Sequence, residues 1–186
     1  MVDQPPLIPK KAFFTKGFGR HTEKLTSFEM ALRDAGIEKF NLVRVSSIFP
    51  PNCKLVTKDE GLKELHAGQI VHLVLSECAG NEPNRLIAAA IGVSMPLDSS
   101  TYGYLSEHHA YGQNDTIAGD YAEDLAAFML ASMHGIQLDM SKDYDEQRDI
   151  FTIGGKPVKT RNITQSAVCD KNGQWTTTIA AAVFII

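Results

Sequence analysis

The sequence predicts a layered α+β fold in one domain, residues 1–186. Three observations lead there. Capping signals and helical spacing mark three helices, apolar runs of period two mark strands between them, and turn residues separate the two kinds of segment. The resulting order is β, α, β, then α, three strands, α and a hairpin, a succession that buries its apolar faces by stacking helices on sheets. A chain of 186 residues, 44% hydrophobic and 22% charged, can bury a single core without disulfides or metals.

Charge and composition exclude several classes. A net charge of −4 with a pI near 5.8 argues against nucleic acid as a partner. Cys53, Cys78 and Cys169 are odd in number and follow no metal-ligand spacing, which suits a reducing cytosol with neither a disulfide framework nor a zinc site. Residues 1–6 lack the basic and apolar regions of a signal peptide, and no apolar run approaches the roughly 20 residues of a membrane span. The expectation is a soluble cytoplasmic protein with no membrane partner.

Taken in order, residues 1–10 read as an extended arm, and Ala12–Lys16 as a short strand ended by Gly17-Phe18-Gly19. Thr26-Ser27-Phe28-Glu29 has the spacing of a capping box, with Thr26 as N-cap of a helix over 27–35 that Gly36 stops. Residues 40–45 form a strand, Thr57-Lys58-Asp59-Glu60 repeats the capping box, and a short helix runs through Leu62 and Leu65. Ile70–Glu77 and Leu86–Met95 read as two strands of a hairpin joined at Asn81–Asn84, with Thr101–His108 as the third strand of that meander. The alanines and Gly92 of the second strand predict a crowded interior position. Ile117–His134 is a long amphipathic helix whose Tyr121, Leu125, Phe128, Met129 and Leu130 describe its apolar face, and residues 139–152 read as a charged, exposed excursion. Val158–Val168 and Trp175–Ile186 are strands, and Asn172-Gly173 between them is a hairpin signal because type I′ turns need positive φ at both central residues.

Most candidate chemistry is weak. Gly17-Phe18-Gly19 lacks the rest of a phosphate loop. His108 and His109 are adjacent on a strand and point to opposite faces, so they do not share one metal ion. No GxSxG elbow supports a hydrolase, and Cys53 has no assignable His or Asn partner.

Ser46-Ser47, entered from Asn41-Leu42-Val43-Arg44-Val45 and closed by Ile48-Phe49-Pro50-Pro51, is different. One reading is a strand that ends in a turn, its hydroxyls bonding nearby backbone. The other is self-processing. A serine hydroxyl held against the preceding carbonyl carbon can convert the amide to an ester, with proximity as the main accelerator. β-Elimination of that ester cuts the chain and leaves dehydroalanine, and hydrolysis then releases ammonia and leaves a pyruvoyl group. Such a group can form a Schiff base with an amine and act as an electron sink, as pyridoxal phosphate does.

The Asn41–Ile48 segment with Pro50-Pro51 resembles the self-cleavage segment of pyruvoyl-dependent arginine decarboxylases. The resemblance continues through Leu25–Leu32, Asp34–Ile37, Tyr102–His109 and the apolar C-terminal strand, covering roughly residues 12–136 and 158–186. It implies a four-layer αββα sandwich of the pyruvoyl-dependent arginine/histidine decarboxylase type. It also implies a homotrimer of cleaved units with active sites between neighbours, and such trimers can pair further. Cleavage between Ser46 and Ser47 would give a β chain, 1–46, and an α chain, 47–186, that opens on a pyruvoyl group made from Ser47. No metal and no pyridoxal phosphate is implied.

By the same resemblance Glu107 is the catalytic acid that protonates the α-carbon after decarboxylation, and burial should raise its pKa. Asn41 assists processing, where its amide can donate to the oxyanion, and lines the substrate pocket. Leu25 lies on the pocket wall, and Ser46 and Ile48 flank the cofactor. Glu29 stands where the family usually carries an aspartate that pairs with the substrate guanidinium. Glu29 therefore serves either its capping box or the substrate. The implied reaction is arginine to agmatine and carbon dioxide. Decarboxylation of another amino acid such as histidine, or an uncleaved non-catalytic homologue, are the alternatives.

Overall fold

Two five-stranded sheets, each covered on its outer face by helix, make four layers. The computed structural model describes residues 6–136, 150–153 and 156–186. In chain order the elements are β1 (Lys11–His21), α1 (Lys24–Ala35), β2 (Asn41–Arg44), β3 (Ile48–Phe49), β4 (Lys54–Leu55), α2 (Lys58–Lys63), β5 (Ile70–Gly80), β6 (Leu86–Pro96), β7 (Gly103–Tyr111), α3 (Asp115–Met133), β8 (Ile150–Ile153), β9 (Lys156–Val168) and β10 (Trp175–Ile185). One sheet has the order β2-β5-β10-β1-β4 and the other β3-β7-β6-β9-β8.

Three buried layers follow from the alternation along the strands. Val74, Cys78, Ala180, Ala182 and Phe184 from the first sheet meet Phe49, Ile87, Ile91, Val93 and Leu105 from the second, which forms the core between sheets. The opposite face of the first sheet, including Leu73, Leu75, Ile179, Ala181 and Val183, packs on Ala31, Ala35 and Leu32 of α1. Ala88 and Ala90 of β6 pack on Ala118 and Ala122 of α3. The expected αββα sandwich is therefore present, and the α+β order read from the sequence maps onto it.

Several local expectations are corrected. Gly17 and Gly19 do not end β1, which continues to His21. They let α1 lie against it: a Cβ on Gly17 would sit 2.6 Å from the backbone nitrogen of Ala35, and one on Gly19 2.6 Å from that of Ala31. Helix α1 starts before Thr26, with Glu23 as an N-cap that makes no side-chain bond, so the Thr26–Glu29 capping box does not form. Instead Ser27, inside the first turns, is buried and shares a 2.7 Å hydrogen bond with Thr177 of β10. The second capping box does form: Thr57 accepts from the Glu60 backbone, and the Glu60 carboxylate accepts from the Thr57 backbone at 2.9 Å.

Neither predicted hairpin exists. The β5–β6 and β9–β10 connections each carry the chain from one sheet to the other. At the second, Gly173 has φ 79° while Asn172 keeps negative φ, and Asp170 accepts from the backbone of Asn172 at 2.7 Å. The two corners are joined by backbone bonds, Cys169 N–H to Arg85 O at 2.7 Å and Asn84 N–H to Cys169 O at 3.3 Å. The meander thus holds only for β6 and β7, which pair antiparallel from Ile87↔Tyr111 to Ser94↔Tyr104.

β6 is the crowded interior strand that its composition predicts, buried from Ile87 to Ser94 between β7 and β9. A Cβ on Gly92 would lie 2.6 Å from the backbone nitrogen of Glu123, so α3 rests on the backbone there. The buried face of α3 is an alanine-rich stripe, Ala118, Ala122, Ala126, Leu130 and their neighbours. Tyr121 and Phe128, expected on the apolar side, are exposed in the single chain. Small residues face the sheet because helix and strand backbones approach closely, leaving no room for rings. Of the expected excursion at 139–152, residues 139–149 lie outside the described residues, and Ile150–Ile153 is strand β8 paired with β9.

Candidate active site

The serine pair is the point where the chain changes sheets. β2 is an edge strand of the first sheet, running parallel to β5, and β3 is an edge strand of the second, antiparallel to β7. Only Val45, Ser46 and Ser47 lie between them. Both ends of this crossing are held by backbone: Val45 N–H donates to Leu73 O at 3.0 Å in the first sheet, and Leu105 N–H donates to Ser47 O at 2.8 Å in the second. Phe49 then enters the core between sheets. The chain does turn at the serine pair, as the structural reading expects, but the turn carries it from one sheet to the other and is tied to a strand on each side.

Beside it lies a hollow of about 220 Å³ lined by Val45, Ile48, Pro50, His72 and Phe184. Its walls are mostly apolar, as a small-molecule site usually is. The residue-47 carbonyl, which would become the amide of a pyruvoyl group, is already fixed by Leu105 N–H next to this hollow. The segment therefore fits such a group.

Glu107 stands two residues beyond Leu105 on β7. With a rise near 3.3 Å per residue that is roughly 7 Å along the strand, and the period-two alternation puts both residues on one face. Partial desolvation pushes the Glu107 carboxyl above the ordinary range although the residue is exposed in the single chain, and the Arg44 guanidinium pulls the other way. Arg44 itself donates to Glu77 of β5 at 2.7 Å. The last residue of β2 thus links Glu77 to the field at Glu107. Sequence reasoning passed over Arg44 and Glu77; an Arg inside the Asn41–Ile48 segment was the available signal, and its partner is 33 residues away.

Other expected residues are placed differently. Asn41 opens β2, and its Nδ2 donates to Gly68 O at 2.6 Å while its backbone N–H donates to Gln69 O. Within one chain that amide fastens the start of the strand to the loop before β5. Leu25 and Glu29 share a face of α1, which packs on β1 and β10 rather than on β2. Leu25 is 79% exposed. Glu29 accepts from Arg33 Nε at 2.6 Å and not from a helix-capping amide, which removes the capping alternative. The single chain therefore gathers Ser46, Ser47, Ile48 and Glu107, and leaves Leu25 and Glu29 on another surface.

The weaker candidates find structural roles. His108 packs against Tyr121 with ring centroids 4.5 Å apart and planes tilted by 53°, and shares a 2.9 Å hydrogen bond with Gln113, while His109 is exposed. Burial pushes the Cys53 thiol up to about 12, so it stays protonated near neutral pH and is a poor nucleophile.

Comparison with known proteins agrees with this geometry. A family model described as pyruvoyl-dependent arginine decarboxylase matches residues 11–186. The chain is 57% identical over 178 residues to a "Probable pyruvoyl-dependent arginine decarboxylase" of Chloroherpeton thalassium, covering 96% of this chain and 98% of that one. It is 55% identical over 179 residues to "Pyruvoyl-dependent arginine decarboxylase 2" of Methanosarcina acetivorans, with the same coverage.

Proposed function

The chain belongs to the pyruvoyl-dependent arginine decarboxylase family, and from that premise we propose that it decarboxylates L-arginine to agmatine on a pyruvoyl group made from Ser47. The observation that carries this reading is the Ser46–Ser47 peptide held between two sheets, with the Ser47 carbonyl bonded to the strand that bears Glu107.

Processing uses the chain's own atoms. Ser47 Oγ bonds the carbonyl carbon of Ser46, the C–N bond opens, and the Oγ proton ends on the freed nitrogen. Loss of the Ser47 α-proton then expels the Ser46 carboxylate, and water replaces ammonia on the new terminus. The products are a β chain, 1–46, and an α chain, 47–186. The tethers at Val45 and Ser47 support this assignment, because fixing both sides of the reacting peptide supplies the orientation that an uncatalysed acyl shift lacks. The finished group supplies an electron sink for the pair released as carbon dioxide departs.

Glu107 then delivers a proton to the α-carbon. Its raised pKa supports that role, since a general acid must still hold its proton near the working pH. Ile48 lines the hollow, and we assign Ser46, two residues before it, to the same substrate space. For the guanidinium we assign Glu29, with Leu25 beside it, contributed across an interface by a neighbouring copy in a trimer. Two facts support that arrangement: both residues sit away from Ser47 in their own chain, and Val43, Ile48 and Ile70 leave apolar side chains exposed near the crossing. Asn41, exposed at the start of the edge strand β2, belongs to the same interface and lines the pocket from there. No helix among the described residues is long and apolar enough to cross a membrane, and three free thiols fit a cytoplasmic enzyme.

A denaturing gel and a carbon dioxide release assay test the reading. Fragments of about 5 and 15 kDa, in proportion to the two pieces of a 20.4 kDa chain, are expected, with release from arginine in preference to histidine, lysine and ornithine. A single uncut band with no release would refute it.

A further inference from the structure

Between its two tethers the crossing segment makes one more backbone bond. The carbonyl oxygen of Ser46 accepts from the N–H of Ile48 at 2.9 Å, which closes a three-residue turn centred on Ser47. This N–H is available because of register. Ile48 lies opposite Tyr104, and Phe49 opposite Gly103. In an antiparallel pair whose ladder bonds fall at the flanking residues, the N–H of the central residue points away from its partner. Leu105 N–H on Ser47 O is one of those flanking bonds. The outward N–H of an edge strand usually faces water. Here it faces the carbonyl whose carbon Ser47 Oγ must attack.

Resting on the reading of Ser46–Ser47 as a self-cleaved peptide, we propose that the backbone N–H of Ile48 is the oxyanion donor of the acyl shift. As the Oγ–C bond forms, the C=O pair of Ser46 moves onto oxygen and charge develops where Ile48 N–H already points. When the C–N bond breaks the carbonyl re-forms as the ester, and the proton lost by Oγ is carried by the departing nitrogen. No outside reagent is consumed. The side chain expected to supply this donor, the Asn41 amide, is engaged with Gly68 O at 2.6 Å in the same chain. A preorganised donor costs no rearrangement at the moment of reaction, and losing one such donor typically slows a reaction by about 10²–10³-fold.

The test removes the N–H and times the cut. Ile48→Pro deletes the donor without deleting a ladder bond, a place where an edge strand tolerates proline. Because proline also restricts the residue before it, a second protein carries the α-hydroxy acid counterpart of isoleucine at position 48, which replaces the amide N–H by an ester oxygen and keeps the side chain. Fragment formation is followed by mass against the unaltered chain and against Ile48→Val, which keeps the N–H. The expected result is cleavage slowed by about 10²-fold in the ester-linked protein, with Ile48→Pro at least tenfold slower than Ile48→Val. Hydroxylamine, which cuts esters and spares amides, should release no additional 1–46 fragment from Ile48→Pro, because the block precedes the ester.

Cleavage of the ester-linked protein within threefold of the unaltered chain would overturn the proposal, whatever the proline variant does. So would hydroxylamine-released 1–46 accumulating in Ile48→Pro, since the donor would then serve a later step. An unaltered chain that stays whole would instead refute the processing reading itself.

Discussion

Leu105 donates its backbone N–H to the carbonyl oxygen of Ser47 at 2.8 Å, so the second serine of the pair is bonded to the strand that carries Glu107. One strand thereby serves two ends: it fixes the residue proposed to be processed, and it presents the carboxyl proposed to act afterwards. On the proposed reading, processing and turnover use different groups on it and should separate by mutation.

Glu107→Gln keeps the length and polarity of the side chain and removes its ionisable proton. Self-cleavage should persist on a denaturing gel, because Leu105 and Ile48 act through backbone. Carbon dioxide release should fall by at least the 10²–10⁴-fold typical of a lost general acid, to about the assay floor. Retained turnover would remove Glu107 from the catalytic role.

The pH profile has a sign. A carboxyl whose pKa is raised stays protonated to higher pH than an ordinary glutamate, and a reaction that needs its proton declines as pH rises through that raised value. Arg44 stabilises the ionised form and so opposes the rise. Arg44→Gln should therefore move the alkaline limb of kcat to higher pH, measured by initial rates across a pH series. A shift to lower pH would contradict the arrangement.

Glu29 is held by Arg33 at 2.6 Å in the isolated chain. If a guanidinium substrate takes the same carboxylate in the assembled enzyme, the two compete. Glu29→Gln should raise KM for arginine by about 10–100-fold, the scale of a hydrogen bond to a charged group worth 1.5–3 kcal/mol, with fragment formation intact. Arg33→Gln should lower KM. Steady-state kinetics on the two variants distinguishes this from a purely helical ion pair, which would leave both constants alone.

The two threonines at capping-box spacing should differ in stability. Thr57 makes both bonds of its box, and Thr57→Ala should cost about 1 kcal/mol. Thr26 lies inside α1 and caps nothing, so Thr26→Ala should stay within about 0.5 kcal/mol of the parent. Denaturant midpoints for the two substitutions check the contrast.

Much of this was legible beforehand. The helices ending at Gly36 and Gly135, the strand over β5 and the apolar β6 all follow from residues close together in sequence. What failed shares one cause. Asn81–Asn84 and Asn172-Gly173 were turn signals and did mark turns, but a turn does not record whether the next strand pairs with the last one or joins the opposite sheet. Similarly, Thr26-Ser27-Phe28-Glu29 has the right spacing for a cap, yet this turn lies inside the helix, where buried Ser27 shares a hydrogen bond with Thr177 of β10. The rings of α3 pointed to an apolar face by hydropathy, and the close approach of backbones at Gly92 selected alanines instead.

The sequence by itself determined the helices and the longer strands, the chemistry open to two adjacent serines, and the family through motifs in order along the chain. Only the tertiary structure decided that those serines span two sheets, that their carbonyls meet the N–H groups of Ile48 and Leu105, and that Glu29 stands apart from them. The reason is physical. Propensity and periodicity are properties of neighbours in sequence, whereas a backbone N–H carries no side-chain signature and finds its acceptor only once strands far apart in the chain have settled their register.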